Sequence, residues 1–123
     1  MSNPRRANGT LRTKHLRRLR AEGRPCWICG LPIDYSLPQG DDGCFECDEI
    51  VPVSRYWEGG YTSAAACAQD FGNLASAHRE CNRWRGNRPK CEVDSLRAFG
   101  AVPRLRRLLG KTPGGKPRPS RTW

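Results

Sequence analysis

Two pairs of metal-ligand residues, Cys26-x-x-Cys29 and His78-x-x-Cys81, stand far apart in a chain of 123 residues. A chain this short gains little from its core alone, so it needs a staple. Cys26 and Cys29 present two thiolates from one tight knuckle. His78 and Cys81 are expected on neighbouring turns of one helix, where they add an imidazole and a third thiolate and complete a closed tetrahedral zinc site. The seven cysteines could instead form disulfides in a secreted chain. Residues 1–24 contain no apolar run of the length that a signal peptide or a transmembrane helix requires. The expectation is therefore a cytoplasmic, reduced chain stapled by zinc. Cys44-x-x-Cys47 is a competing pair, ranked second because residues three apart on a strand point to opposite faces. Cys67 and Cys91 have no partner at ligand spacing, and burial or chance accounts for each.

Charge supplies the second constraint. Lys and Arg total 22 against 12 Asp and Glu, a formal net charge of +10. Residues 1–24 hold eight basic residues and one acidic, residues 101–123 hold seven basic and none acidic, and the centre is mildly acidic. Cationic ends around such a centre fit a core that works on a polyanion while its ends grip phosphates. A membrane surface is the weaker partner, because no amphipathic segment with aromatic anchors supports it.

Turn and cap residues set the expected elements. Met1 to Thr10 is polar and expected to be disordered. Leu11, Leu16 and Leu19 among basic residues predict a short helix ending near Gly23. The Gly, Pro and Asp content of residues 26–43 predicts a knuckle and loop. A strand over Cys44–Val51 ends at Pro52, Val53 to Gly72 reads as a long loop, and Asn73–Ala77 forms a second strand. A helix over His78–Arg85 stops at Gly86 and Pro89, and residues 94–109 are helical with interruptions at Gly100 and Pro103. Residues 111–123 are Pro, Gly and basic residues, a composition expected to stay disordered.

The order Asp48-Glu49-Ile50-Val51-Pro52, Gly59-Gly60, Asn73-Leu74, then His78-Arg79-Glu80-Cys81-Asn82 ahead of Arg85-Gly86, resembles the HNH endonuclease family, closest to the small proteins of phages and prophages. The resemblance implies a small α+β protein with a ββα-metal unit on a zinc knuckle, flanking basic helices and disordered basic tails. Its parts would be a basic arm and helix over 1–23, a nuclease domain over 24–92, a helical segment over 93–110 and a basic tail over 111–123. Carried over by position, Asp48 and Asn82 are ligands of a catalytic divalent ion, Asn73 orients the base, and Glu49 stands where the family usually has a catalytic His. Oxygen donors favour magnesium or manganese there, ahead of nickel or zinc. His78 shares a helix face with Asn82 in this reading, so it could serve that ion instead of the knuckle, leaving Cys81 to pair with Cys44 or Cys47.

Around this unit Arg55, Arg79, Arg83, Arg85 and Arg88 are expected to meet phosphates. Trp84 is expected in the core and His15 in a basic, solvated helix. The resemblance implies a DNA endonuclease using one metal ion, acting near phage DNA packaging with a terminase as a possible partner and in the host cytoplasm if the chain is viral. The alternative is a non-catalytic zinc-finger module that binds nucleic acid, to which Glu49 in place of His gives weight.

Overall fold

The structure, a computed structural model, describes residues 3–6 and 8–110; the expectation for residues 111–123 lies outside them. The order is a 3-10 turn over Pro4–Arg6, α1 (Gly9–Glu22), β1 (Phe45–Glu49), a 3-10 segment over Val53–Gly59, α2 (Ala64–Gln69), a 3-10 turn over Phe71–Asn73, β2 (Leu74–His78), α3 (Arg79–Arg85), α4 (Lys90–Ala98) and α5 (Pro103–Leu108). This is a small α+β architecture with one two-stranded antiparallel sheet. Among the described residues no helix is long and apolar enough to cross a membrane.

The sheet orders the rest. β1 and β2 pair from Phe45 opposite His78 to Glu49 opposite Leu74, and all five β2 residues are buried. Strand alternation places Phe45 and Glu49 on one face of β1 and Glu46 and Asp48 on the other. Their contacts follow that division. Phe45 and Glu49 meet Arg20 and Arg12 of α1, whereas Glu46 and Asp48 meet Asn82 and Arg85 of α3. The sheet thus lies between α1 and α3, and consecutive carboxylates at the end of β1 look into different surroundings.

Local chemistry explains the helix ends. Asn8 caps α1 by accepting from the Leu11 amide, and Gly23 ends it in the left-handed conformation at φ 61°. His78, expected in the following helix, is instead the last residue of β2, and α3 starts at Arg79. The α3 amides of Arg79 and Glu80 are bound by the carbonyls of Cys44 and Asp42, which fixes the helix against the start of β1. The loop expected over Val53–Gly72 contains α2. Ser63 caps it through the Ala66 amide, and the alanine run supplies the highest helix propensity of any residue type. Gly59 has a packing reason, since a Cβ there would lie 2.9 Å from both Tyr61 and Val51.

Two apolar clusters result. The larger gathers Cys26, Ile28, Cys29, Ala77, Cys81, Val93 and Val102, with Trp27 and Trp84 packed against it. α4 and α5 therefore share the knuckle's core. Arg97 of α4 donates to the Trp27 carbonyl, and Arg104 and Arg107 of α5 hold Glu80 of α3. The smaller cluster, Val53, Cys67 and Ala68, anchors α2. Within the stretch expected to be disordered, Pro4–Arg6 forms a turn and Gly9 and Thr10 begin α1; residues 1, 2 and 7 lie outside the described residues.

Arg85, expected to contact phosphate, is a core residue with 2% exposure. Its guanidinium donates to Asp48 Oδ2 at 2.9 Å and to the Glu49, Ile50 and Arg88 carbonyls, tying α3 to the end of β1. Removing one partner of a buried pair strands the other charge. Arg85→Met is expected to lower unfolding free energy by about 3–5 kcal/mol in urea titration. A loss below about 1 kcal/mol would show that the pair is not structural.

Candidate metal centre and carboxylate cleft

Cys26, Cys29, His78 and Cys81 are all buried, and their ligand atoms lie within 4.8 Å of one another. His78 Nδ1 is 3.4 Å from Cys29 Sγ and 4.0 Å from Cys81 Sγ. Zn–S bonds of about 2.3 Å and a Zn–N bond of about 2.0 Å put tetrahedral ligand atoms roughly 3.5–3.8 Å apart, so these spacings fit a zinc ion. The elements bring the four together for local reasons. The knuckle closes through Gly30 N to the Cys26 carbonyl at 2.8 Å and Cys26 N to the Leu31 carbonyl at 2.9 Å, with Gly30 at φ 80°. The end of β2 delivers His78, and the first turn of α3 delivers Cys81.

The outer contacts favour metal ligation too. His78 Nε2 lies 2.9 Å from the Pro32 carbonyl, a partner that only an N–H can satisfy. A proton is thereby held on Nε2, and Nδ1 faces the sulfurs, where a metal ion would replace the proton that the cysteines otherwise hold there. The His78 amide donates to Cys26 Sγ at 3.4 Å. Hydrogen bonding from Cys29 and Cys81 holds the Cys26 thiol far below its usual range, while the same sharing, together with burial, pushes Cys81 far above its own. Three crowded sulfurs cannot all be thiolates without a cation.

Among the described residues no other group of three or more His, Cys, Asp or Glu side chains converges in this way. Cys44 and Cys47 are therefore outside the metal cluster. Cys44 is buried beside the start of β1, and burial pushes Cys47 up to about 11. His78 belongs to the cluster and not to a site with Asn82. Cys67 is buried and Cys91 exposed.

The second constellation surrounds an open cleft of about 450 Å³ lined by residues including Arg5, Asp48, Glu49, Tyr56 and Arg85. Asp48 Oδ2 accepts from the Trp27 indole at 3.0 Å and from Arg85 at 2.9 Å. Burial raises the Asp48 carboxyl above its usual range, against the pull of Arg85. Glu49, 5% exposed, accepts twice from Arg5 at 2.9 Å and once from Arg12 at 3.2 Å. Asn82 donates through Nδ2 to Glu46 Oε1 at 3.0 Å, so Asp48 and Asn82, expected to share an ion, keep different partners.

Asn73 is a backbone clamp. Its Oδ1 accepts from the Val51 amide at 2.8 Å and its Nδ2 donates to the Val51 carbonyl, which spends on the β1 exit the carbonyl expected to orient Glu49. Of the expected phosphate contacts, Arg55 binds Glu58 and the Asn87 carbonyl, and Arg79 lies beside Asp42 and Glu46. Arg88 lies over the Trp84 ring and pairs with Glu92. Arg83 is exposed. His15 is half-buried, its ring tilted at 58° to that of Phe71 with centroids 5.3 Å apart.

Sequence reasoning missed Glu46, Trp27, Arg5 and Arg12. Strand alternation from Asp48 could have found Glu46. No local signal marks Arg5 or Arg12, whose positions depend on how the arm and α1 dock. No protein-family model, curated protein or solved structure matches the chain.

Purified protein is expected to retain about one zinc per chain after dialysis. Cys26→Ser should lose the metal and unfold, while Cys44→Ser and Cys47→Ser keep the metal. Elemental analysis with circular dichroism checks this, and a folded, metal-free Cys26→Ser protein would contradict the assignment.

Proposed function

We propose that this chain is a metal-dependent DNA endonuclease of the HNH kind, with the Cys26, Cys29, His78 and Cys81 cluster as its structural zinc site. The observation that carries the proposal is the pair of adjacent carboxylates at the exit of β1. They face opposite sides of the strand, border one open cleft, and sit among guanidinium groups in a strongly cationic chain. Phosphodiester hydrolysis calls for these parts: a cationic surface for the backbone, an oxygen ligand for a hard ion, and a separate base for water.

The residues fit such an ion in donor type. Both Asp48 hydrogen bonds fall on Oδ2 and the Asn82 bond uses Nδ2, so Asp48 Oδ1 and Asn82 Oδ1 are the oxygens to hold it. When bound, a divalent cation supplies electrophilic stabilisation of charge developing on the phosphate and the leaving 3′-oxygen, worth several kcal/mol of barrier. The protein's own groups do the rest. Trp27 and Arg85 fix the Asp48 carboxylate from behind. Asn73 fixes the chain direction after Glu49 by clamping Val51. Glu49 accepts the proton of an in-line water as that water's oxygen bonds to phosphorus and the P–O3′ bond breaks, the departing 3′-oxygen taking a proton from solvent. The surrounding arginines bind the non-bridging oxygens.

One observation favours a second reading, a zinc-stapled module that binds DNA without cutting it. Both Glu49 oxygens are occupied by Arg5 and Arg12, which leaves the base engaged. Incubation with supercoiled plasmid separates the two. The endonuclease nicks or linearises it with magnesium or manganese, and chelator stops the reaction. Glu49→Gln should cut at least about a hundredfold more slowly with binding and folding intact, whereas Glu49→His should stay active with the acid limb of its pH profile moved upward. Binding without cleavage across magnesium, manganese, nickel and zinc would establish the module instead.

A further inference from the structure

Three guanidinium groups attend the two carboxylates of the cleft, and they differ in how readily each could leave. Arg85 is buried, with its donors committed to Asp48 and to three backbone carbonyls. Arg12 reaches Glu49 from within α1, makes one contact at 3.2 Å, and has a side chain 21% exposed. Arg5 makes the tighter, two-pronged contact, Nε to Oε2 and Nη2 to Oε1, each at 2.9 Å. Yet its side chain is 45% exposed, and its backbone belongs to a three-residue turn outside the sheet and the longer helices. The Arg5 amide is bound by the Asn3 side chain, two residues away. The strongest contact on Glu49 is thus made by the most exposed of the three cations.

We propose that Arg5 is the residue that receives the substrate phosphate: its guanidinium exchanges the Glu49 carboxylate for a phosphate of duplex DNA, and the exchange uncovers Glu49. This rests on the nuclease reading for its consequence, but the exchange itself needs no cleavage. A guanidinium fork binds carboxylate and phosphate through the same paired N–H geometry, so the contact can transfer without a new donor arrangement. Charge balance supports the transfer. Asp48 and Glu49 face three cations, an excess of one. With a phosphate bound to Arg5, Glu49 keeps Arg12, Asp48 keeps Arg85, and each of the three anions has a guanidinium. Pro4 and Arg5 already line the cleft, so the exchange requires only local movement. Arg6, Lys14 and Arg17 are exposed nearby in sequence, and they add attraction for the polyanion along the same arm and helix.

Two measurements test this on the zinc-loaded full chain, with a short DNA duplex as probe and no added magnesium or manganese. Carbon-13 NMR of the Glu49 side-chain carboxyl should show its resonance shifting as duplex saturates the wild-type protein. In Arg5→Gln the resonance should start displaced and move little on adding duplex, while Arg6→Gln retains the wild-type response. Arg5→Gln should also reduce the slope of log affinity against log salt by about one, the loss of one phosphate contact. An unmoved Glu49 resonance in wild type at saturation, or an unchanged salt slope in Arg5→Gln, would overturn the proposal. Exchange without cleavage in the plasmid assay would reject the nuclease alone, and cleavage without exchange would reject the role of Arg5 alone.

Discussion

Three sulfurs and an imidazole nitrogen lie within 4.8 Å of one another in a buried site, close enough for one cation to bind all four, and the rest of the structure depends on their meeting. The knuckle at Cys26 and Cys29 has little regular structure of its own. The four ligands join it to the adjoining end of β2 and first turn of α3, with His78 49 residues beyond Cys29 in the chain. Their surroundings, Ile28, Ala77, Val93 and Val102, are fully or almost fully buried and small to medium in size. An ion bonded by four ligands from both ends of this core would add its binding free energy to folding.

A second buried constraint carries the staple's rigidity to the cleft. Arg85 lies one turn beyond Cys81 on α3 and binds Asp48 together with the carbonyls of Glu49 and Ile50. The helix fixed by the cluster therefore fixes the exit of β1. Asn73 closes the same exit from the turn before β2 by holding both backbone groups of Val51. A cleft whose carboxylates are aimed from two sides by packed elements is pre-organised, the property that makes charge stabilisation effective.

The ligand cluster and the hairpin were legible in the sequence because their signals are local. Paired ligands at a spacing of three and Gly23 and Gly86 as helix stops each state their own geometry, and the strand expected over Cys44–Val51 is present over the shorter Phe45–Glu49. Other features arise only when separate elements meet. Arg85 reads as a surface cation on a basic helix, and its burial follows from Asp48 and three carbonyls that gather around it. Arg5 sits in a polar N-terminal stretch whose composition suggests disorder, and its order comes from Glu49. The position of His78 turned on one residue, since a helix starting at Arg79 instead of His78 removes its shared face with Asn82. α2 was missed although Ser63 and the alanines carried its signal, because the flanking glycines outweighed them.

The proposed function calls for two ions of different character, a zinc on sulfur and nitrogen and a hard cation on the oxygens of Asp48, which lines the cleft, and Asn82. Electron paramagnetic resonance of manganese titrated into zinc-loaded protein, with duplex DNA present, measures the second site directly. The account predicts about one manganese bound per chain beyond the retained zinc, lost in Asp48→Asn and unaffected by Cys44→Ser. Manganese that stays wholly free, or binds equally well in Asp48→Asn, would contradict it.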